Sequence, residues 1–239
     1  MRSLFFLLLF VLLLAPRSIQ AEELPPLEGL IEPNELVQYS SQVPGILEQV
    51  LVERGTWVKK RQTIATLKSG VQRAALKLAK ARVDFGKRKL LRNEQLIKKQ
   101  LISINDKDEI ETEVRFSELE VSQAEEQLAL RTIRSTIAGV VVQRTGSPGE
   151  YVGEDPFLTI ASIDPLSVEV VVPSGYYGAI KKGAEATVEI EGPLAGQYKA
   201  RVIIVDQIID AASSTFGVRL ELPNPKKKLP AGLKCIVTF

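Results

Sequence analysis

The residue types that carry most enzymatic chemistry are missing from this chain. Its 239 residues include no histidine and a single cysteine, Cys235. Ser-His-Asp and Cys-His catalysis and most zinc sites therefore lack an essential component. An internal disulfide and a cysteine-cluster metal site are excluded as well. No cofactor is expected. What remains is the chemistry of recognition, and it concentrates in RNEQLIKKQLISINDKDEI, residues 92–110. Arg92 and Leu96 stand one helical turn apart on a shared face, and Ser103 adds a hydroxyl. A leucine among lysines, beside a guanidinium and a hydroxyl, is a candidate contact patch; the alternative is that Ser103 only caps a helix, Arg92 is solvated and Leu96 packs across the hairpin.

Two helices must position that patch. Residues 70–134 contain no proline and, beyond Gly70, only Gly86 as glycine; Ala, Leu, Glu, Lys, Arg and Gln dominate, all good helix formers. Val71, Leu78 and Phe85 lie seven apart, as do Leu76, Val83, Leu90 and Ile97. Later, Ile110, Val114, Ser117, Val121, Ala124 and Leu128 step by alternating fours and threes. These repeats predict two helices supercoiled against each other, with the alanines and Gly86 allowing close approach. At about 1.5 Å per residue, the arm from Gly70 to Leu101 projects roughly 48 Å. The chain turns near Leu101–Ser103 without glycine or proline. Ser103 is a candidate N-cap, with Asp106 three residues on as an acidic variant of the capping box. Lys98 and Lys99 close the first helix while Asp106, Asp108 and Glu109 open the second, so each charge complements its own helix dipole. That accounts for the turn but not for an exposed Leu96 or Ile102.

On either side of the helices the texture is that of short strands and tight turns. The two β-rich pieces repeat each other at an offset of 94 residues: Ser41 with Ser135, Val43 with Ile137, Gly45 with Gly139, Gln49 with Gln143, Gly55 with Gly149, Trp57 with Tyr151, Val58 with Val152 and Ile64 with Leu158. Two copies of a four-strand motif, each unable to bury its apolar face alone, would pack on one another. Trp57 and Tyr151 are expected as packing residues, and Cys235, within LKCIVTF, as a buried small hydrophobe. NPKKKLP, residues 224–230, reads as a solvated turn.

The N-terminus, MRSLFFLLLFVLLLAPRSIQAEE, has the layout of a secretory signal peptide, with cleavage expected after Ala21 and an uncleaved inner-membrane anchor as the alternative. Its apolar run, roughly 18 Å as a helix, is short of the roughly 30 Å hydrocarbon core. Without residues 1–21 the chain holds 29 basic and 29 acidic residues, a balance that argues against a nucleic-acid partner.

A β-motif split by a long helical hairpin behind a signal peptide resembles the HlyD, or membrane-fusion-protein, family of periplasmic adaptors in tripartite efflux systems. VPGILEQVLVERGTWVKKRQTIATL and STIAGVVVQRTGSPGEYVGEDPFLTIASIDPLSVEVVVP resemble the two halves of its lipoyl-like domain and the entry to its barrel. IKKGAEATVEI and FGVRLELPNPKKKLPAGLKCIVTF resemble its barrel strands and closing L-P-x-G turn. The implied fold class is α+β, elongated and multidomain: a lipoyl-like β-sandwich (barrel-sandwich hybrid) split by an α-helical coiled-coil hairpin, then a small β-barrel. The expected domains are a signal peptide at 1–21, an extended arm at 22–36, the lipoyl-like domain at 37–69 plus 135–163, the hairpin at 70–134 and the barrel at 164–239. The pattern ends with the barrel, which implies a short form without a full membrane-proximal domain.

Such an adaptor is non-enzymatic and links an inner-membrane transporter, RND preferred to ABC, to a TolC-type outer-membrane channel, self-associating as a hexamer in the periplasm. Adaptors that dock on TolC-type channels carry the arginine, leucine and serine spacing of Arg92, Leu96 and Ser103, followed by an aspartate, here Asp108. Two other classes compete with this reading. A biotinyl or lipoyl carrier would need a modified lysine at the junction of the halves, where Lys68 is the nearest candidate and the hairpin occupies the place. A passive coiled-coil scaffold would need no transport partner.

Overall fold

The computed structural model describes residues 24–99 and 103–239. The expected signal peptide and the turn residues Leu101 and Ile102 lie outside the described residues. In chain order the elements are β1 (Leu27–Tyr39), β2 (Gly45–Val50), β3 (Trp57–Val58), β4 (Thr63–Leu67), α1 (Gly70–Lys98), α2 (Ile104–Ala129), β5 (Thr132–Arg134), β6 (Gly139–Arg144), β7 (Tyr151–Val152), β8 (Leu158–Pro173), β9 (Glu185–Ile190), β10 (Gly196–Val205), β11 (Thr215–Leu222) and β12 (Lys234–Thr238). The described chain forms two compact units. One holds the chain up to Leu30, Glu169–Leu220 and Lys234–Phe239; the other holds Ile31–Val168 and Glu221–Leu233. Residues 27–36, expected as part of an extended arm, lie in β1, and the start of β1 pairs antiparallel with β12 from Leu27↔Val237 to Leu30↔Lys234.

In the barrel-forming unit β9 is the hub, pairing antiparallel with both β10 and β12. Alternation sets its core. In β9, Ala186, Val188 and Ile190 are buried while Glu185, Thr187 and Glu189 face out, the period-2 signature of a half-buried strand. Phe216, Val218 and Leu220 of β11 repeat it, and Cys235 is 4% exposed among them.

The second unit contains the repeat, and the repeat is interlocked. β2 pairs with β7 through Gly45↔Val152 and Ile46↔Tyr151. β3 pairs with β6 through Val58↔Gly139 and Trp57↔Val140, the same contact with the halves exchanged. Gly55 N–H donates to Val141 O at 2.8 Å, and its counterpart Gly149 N–H donates to Leu47 O at 2.8 Å. Both glycines need φ near +84° and +94°, a region that L side chains avoid. Ser41 Oγ donates to Val43 O and Ser135 Oγ to Ile137 O, each at 2.6 Å. Leu47, Val58, Ile64, Leu67, Val141, Leu158 and Ile160 make a shared core. Past Val152 the equivalence shifts by one residue. Leu51 N–H donates to Ile64 O, and Thr145 N–H donates to Phe157 O, so Phe157 rather than Leu158 is the mate of Ile64. The connection after β7 is one residue shorter than that after β3.

The helices insert between the halves. Ala79, Val83, Ile110, Val114 and Ala124 are buried, and Leu76, Val121 and Leu128 are half-buried with them. A methyl group at Gly86 would stand 2.9 Å from Val114 Cγ2, so the close approach expected there is real. One expected stripe faces the other way: Val71, Leu78 and Phe85 are 78%, 57% and 56% exposed. Seven-residue spacing fixes a period, not a phase. The positions three and four after Phe85 are Arg88 and Lys89, whereas Leu76, Ala79, Val83, Gly86 and Leu90 complete the alternation of threes and fours.

Candidate docking site at the hairpin tip

Each arm is built to hold its end in place. α1 carries nine basic and two acidic residues; α2 carries two basic and nine acidic. Arg82–Glu120 (2.9 Å) and Lys89–Glu113 (3.0 Å) flank the buried seam on one side, and Lys80–Glu125 (2.8 Å) and Lys87–Glu118 (2.7 Å) on the other. Within each flank the partners are seven residues apart, so the pairs fix the antiparallel register. Each is half-exposed and individually worth under about 1 kcal/mol. Sequence reading missed this division of charge, although Lys80/Lys87 and Arg82/Lys89 carry it openly.

At the tip, Ser103 is the N-cap of α2 with φ −69° and ψ 159°. Asp106 N–H donates to Ser103 Oγ (3.2 Å), Ser103 N–H donates to Asp106 Oδ2 (3.2 Å), and the Ser103 hydroxyl donates to Asp106 Oδ2 (3.0 Å). The expected capping box is therefore present in its acidic form. It commits the Ser103 proton, leaving its oxygen to meet a partner as an acceptor. Arg92 and Ser103 are exposed, and Leu96 is 39% exposed. Arg92 and Leu96 both lie on α1, one turn apart. Asp108, also exposed, follows in the first turns of α2, where its carbonyl accepts from Thr112 Oγ1 at 2.7 Å.

One minor expectation is corrected in the β-domain. Tyr151 is 72% exposed rather than packed. The 224–230 turn is exposed at Pro225–Lys228 as expected, and within it Lys227 Nζ sits 3.3 Å from the Trp57 ring centroid. The buried Asn224 holds that loop, donating from Nδ2 to Ile163 O and Leu229 O, each at 2.9 Å, and accepting from Leu229 N–H at 3.2 Å.

A two-copy β-sandwich opened by a long helical pair, with a second β unit of barrel strands, defines the class of membrane fusion proteins. Residues 35–162 match the CzcB-like barrel-sandwich hybrid domain and 166–239 the CusB-like beta-barrel domain. The chain belongs to the membrane fusion protein family and carries its CzcB-like barrel-sandwich hybrid. It is 24% identical over 208 residues to the solvent efflux pump periplasmic linker SrpA of Pseudomonas putida, covering 80% of this chain and 54% of that one. It thus spans about half the length of the curated relatives it matches. A MacA–MexA chimera containing the Pseudomonas aeruginosa MexA α-hairpin superposes with a TM-score of 0.78 at 22% identity, over 91% of this chain and 82% of the other. The membrane fusion protein Spr0693 of Streptococcus pneumoniae R6 gives 0.73 at 16% identity, over 90% and 97%. Among the described residues no helix is long and apolar enough to cross a membrane.

Proposed function

We propose that this chain is a periplasmic, non-enzymatic adaptor that couples an inner-membrane transporter, of the RND class, to a TolC-type outer-membrane channel. The observation that carries the reading is Leu96. It is exposed beside Arg92 at the end of a long arm whose own seam is already filled, so folding does not require it there. Leu96, Arg92 and the acceptor oxygen of Ser103 form the channel contact. The outward line of Val71, Leu78 and Phe85 and the opposite charges of the two helices suit a neighbouring hairpin, consistent with a hexameric ring in which the hairpins stand side by side.

The test is a photo-crosslinker at position 96 in cells, with Leu96→Asp, Arg92→Glu and deletion of residues 92–108 as companions. The wild-type tip crosslinks to a channel subunit, and the variants lose channel co-purification while their β-domains stay folded. A deletion variant that still captures the channel would sink the tip assignment. Recovery of neither a channel nor an inner-membrane pump would favour a passive scaffold.

A further inference from the structure

The two interlocked halves of the β-sandwich share a backbone frame but carry opposite charge at their equivalent ends. After β3 the chain makes the turn Lys59-Lys60-Arg61-Gln62, all four exposed, with Arg134 Nη1 donating to Arg61 O at 3.2 Å. After β7 the corresponding connection is Gly153-Glu154-Asp155-Pro156, Glu150 stands on the other side of β7, and all three carboxylates are exposed. Among the described residues, none of Lys59, Lys60, Arg61, Glu150, Glu154 and Asp155 lies in an ion pair. By contrast Glu53, beside the basic turn, is neutralised by Arg144 at 2.9 Å.

The acidic end is hollow, a cavity of about 680 Å³ lined by Ser41, Gln42, Glu150, Tyr151, Glu154 and Asp155 among others. Tyr151 occupies the place that Trp57 holds at the basic end. Trp57 has an ammonium over its ring, supplied by Lys227 of its own chain. Tyr151 stands 72% exposed and lines the same hollow as the carboxylates of Glu150, Glu154 and Asp155. An exposed aromatic ring in a hollow shared with carboxylates suits a cation, and the molecule already seats one over Trp57 at the equivalent position.

We propose that the basic turn at 59–61 of one copy of this chain docks in the acidic hollow at Tyr151, Glu150, Glu154 and Asp155 of the next copy. This deepens the self-association in the function proposed above and rests on it. Because the two surfaces differ, the contact is heterologous, and it closes into a ring or runs on as a filament. Complementary charge also steers the encounter and rejects the reverse orientation.

The experiment is sedimentation velocity on the full chain at low and high salt, with circular dichroism as the folding control. Lys59→Glu/Lys60→Glu leaves both ends acidic, and Glu154→Lys/Asp155→Lys leaves both ends basic. Each variant alone should self-associate roughly tenfold or more weakly than wild type, and Tyr151→Ser should weaken it too. Mixing the two charge variants should restore assembly, because every junction is again acid against base; a misfolded variant could not do this. Wild-type strength in either charge variant, no rescue on mixing, or no self-association of the wild type would each overturn the proposal. Loss of channel capture with this pattern intact would count against the adaptor reading and leave the head-to-tail contact standing.

Discussion

Ser103 and Asp106 show how much one pair of side chains can settle. Their reciprocal bonds start α2 without glycine or proline, and they also fix what Ser103 can offer a partner. Asn224 does comparable work in the loop before β12, where it joins Ile163, Leu229 and Asp164 and so aims Lys227 at Trp57. Asn224→Ala should lower stability by about 1–3 kcal/mol, because it strands buried partners; urea denaturation of the purified protein measures this. Cys235 makes a quieter prediction. Burial pushes its thiol up to about 11 from an ordinary 9.0, so the folded thiol holds its proton while the unfolded one ionises. Stability is therefore unaffected below about pH 9 and falls as pH rises from there towards 11. At pH 8 iodoacetamide should modify the native thiol far more slowly than the thiol in urea, and equal rates would contradict its burial.

At the scale of elements the hairpin is a seam of small and branched residues with ion pairs on both flanks. Gly86→Leu should destabilise it by about 1–3 kcal/mol through overpacking against Val114, and loss of the helical circular-dichroism signal at lower temperature would report it. Lys89→Glu should cost under about 1 kcal/mol, with Glu113→Lys in the same chain restoring register and stability. The period of this element was legible in the sequence, and so was the whole inner face of α2. The phase of α1 was not fully legible, because Val71, Leu78 and Phe85 carry the same seven-residue spacing as the true seam. Only the identity of the residues three and four positions further on separates the two. The internal repeat was legible from glycines and serines whose hydrogen bonds recur in both halves. Its one-residue slip at Phe157 was hidden because a surface connection changes length without disturbing the strands. Arg92, Leu96 and Ser103 could be placed at the tip from spacing alone, whereas the commitment of the Ser103 proton to Asp106 required coordinates.

At the scale of the whole molecule the hairpin is an insertion, and its removal tests that directly. β4 leads into it and β5 leads out, and the two pair from Thr63↔Arg134 to Thr66↔Thr132. Leu67 N–H donates to Arg131 O at 2.8 Å, so the chain leaves and re-enters the β-domain at adjacent residues. The 63 residues between Leu67 and Arg131 can then be replaced by a hairpin turn of about four residues. Shortening a loop by about four doublings lowers its closure cost by about 2.4 kcal/mol if the insert contributes nothing to the β-domain. The shortened protein should thus fold with β-type circular dichroism, melt no lower than the parent's β transition and lose all channel capture. Failure of the β-domain to fold would show that the arms support the sandwich they interrupt. Two links are on hand: Lys68, which the deletion removes, donates its N–H to Ile46 O at 2.8 Å, and Arg131 Nη1 donates to Pro44 O at 3.0 Å. Keeping Arg131 in the shortened chain and comparing it with Arg131→Ala separates a contribution of that single bond from one of the hairpin as a whole.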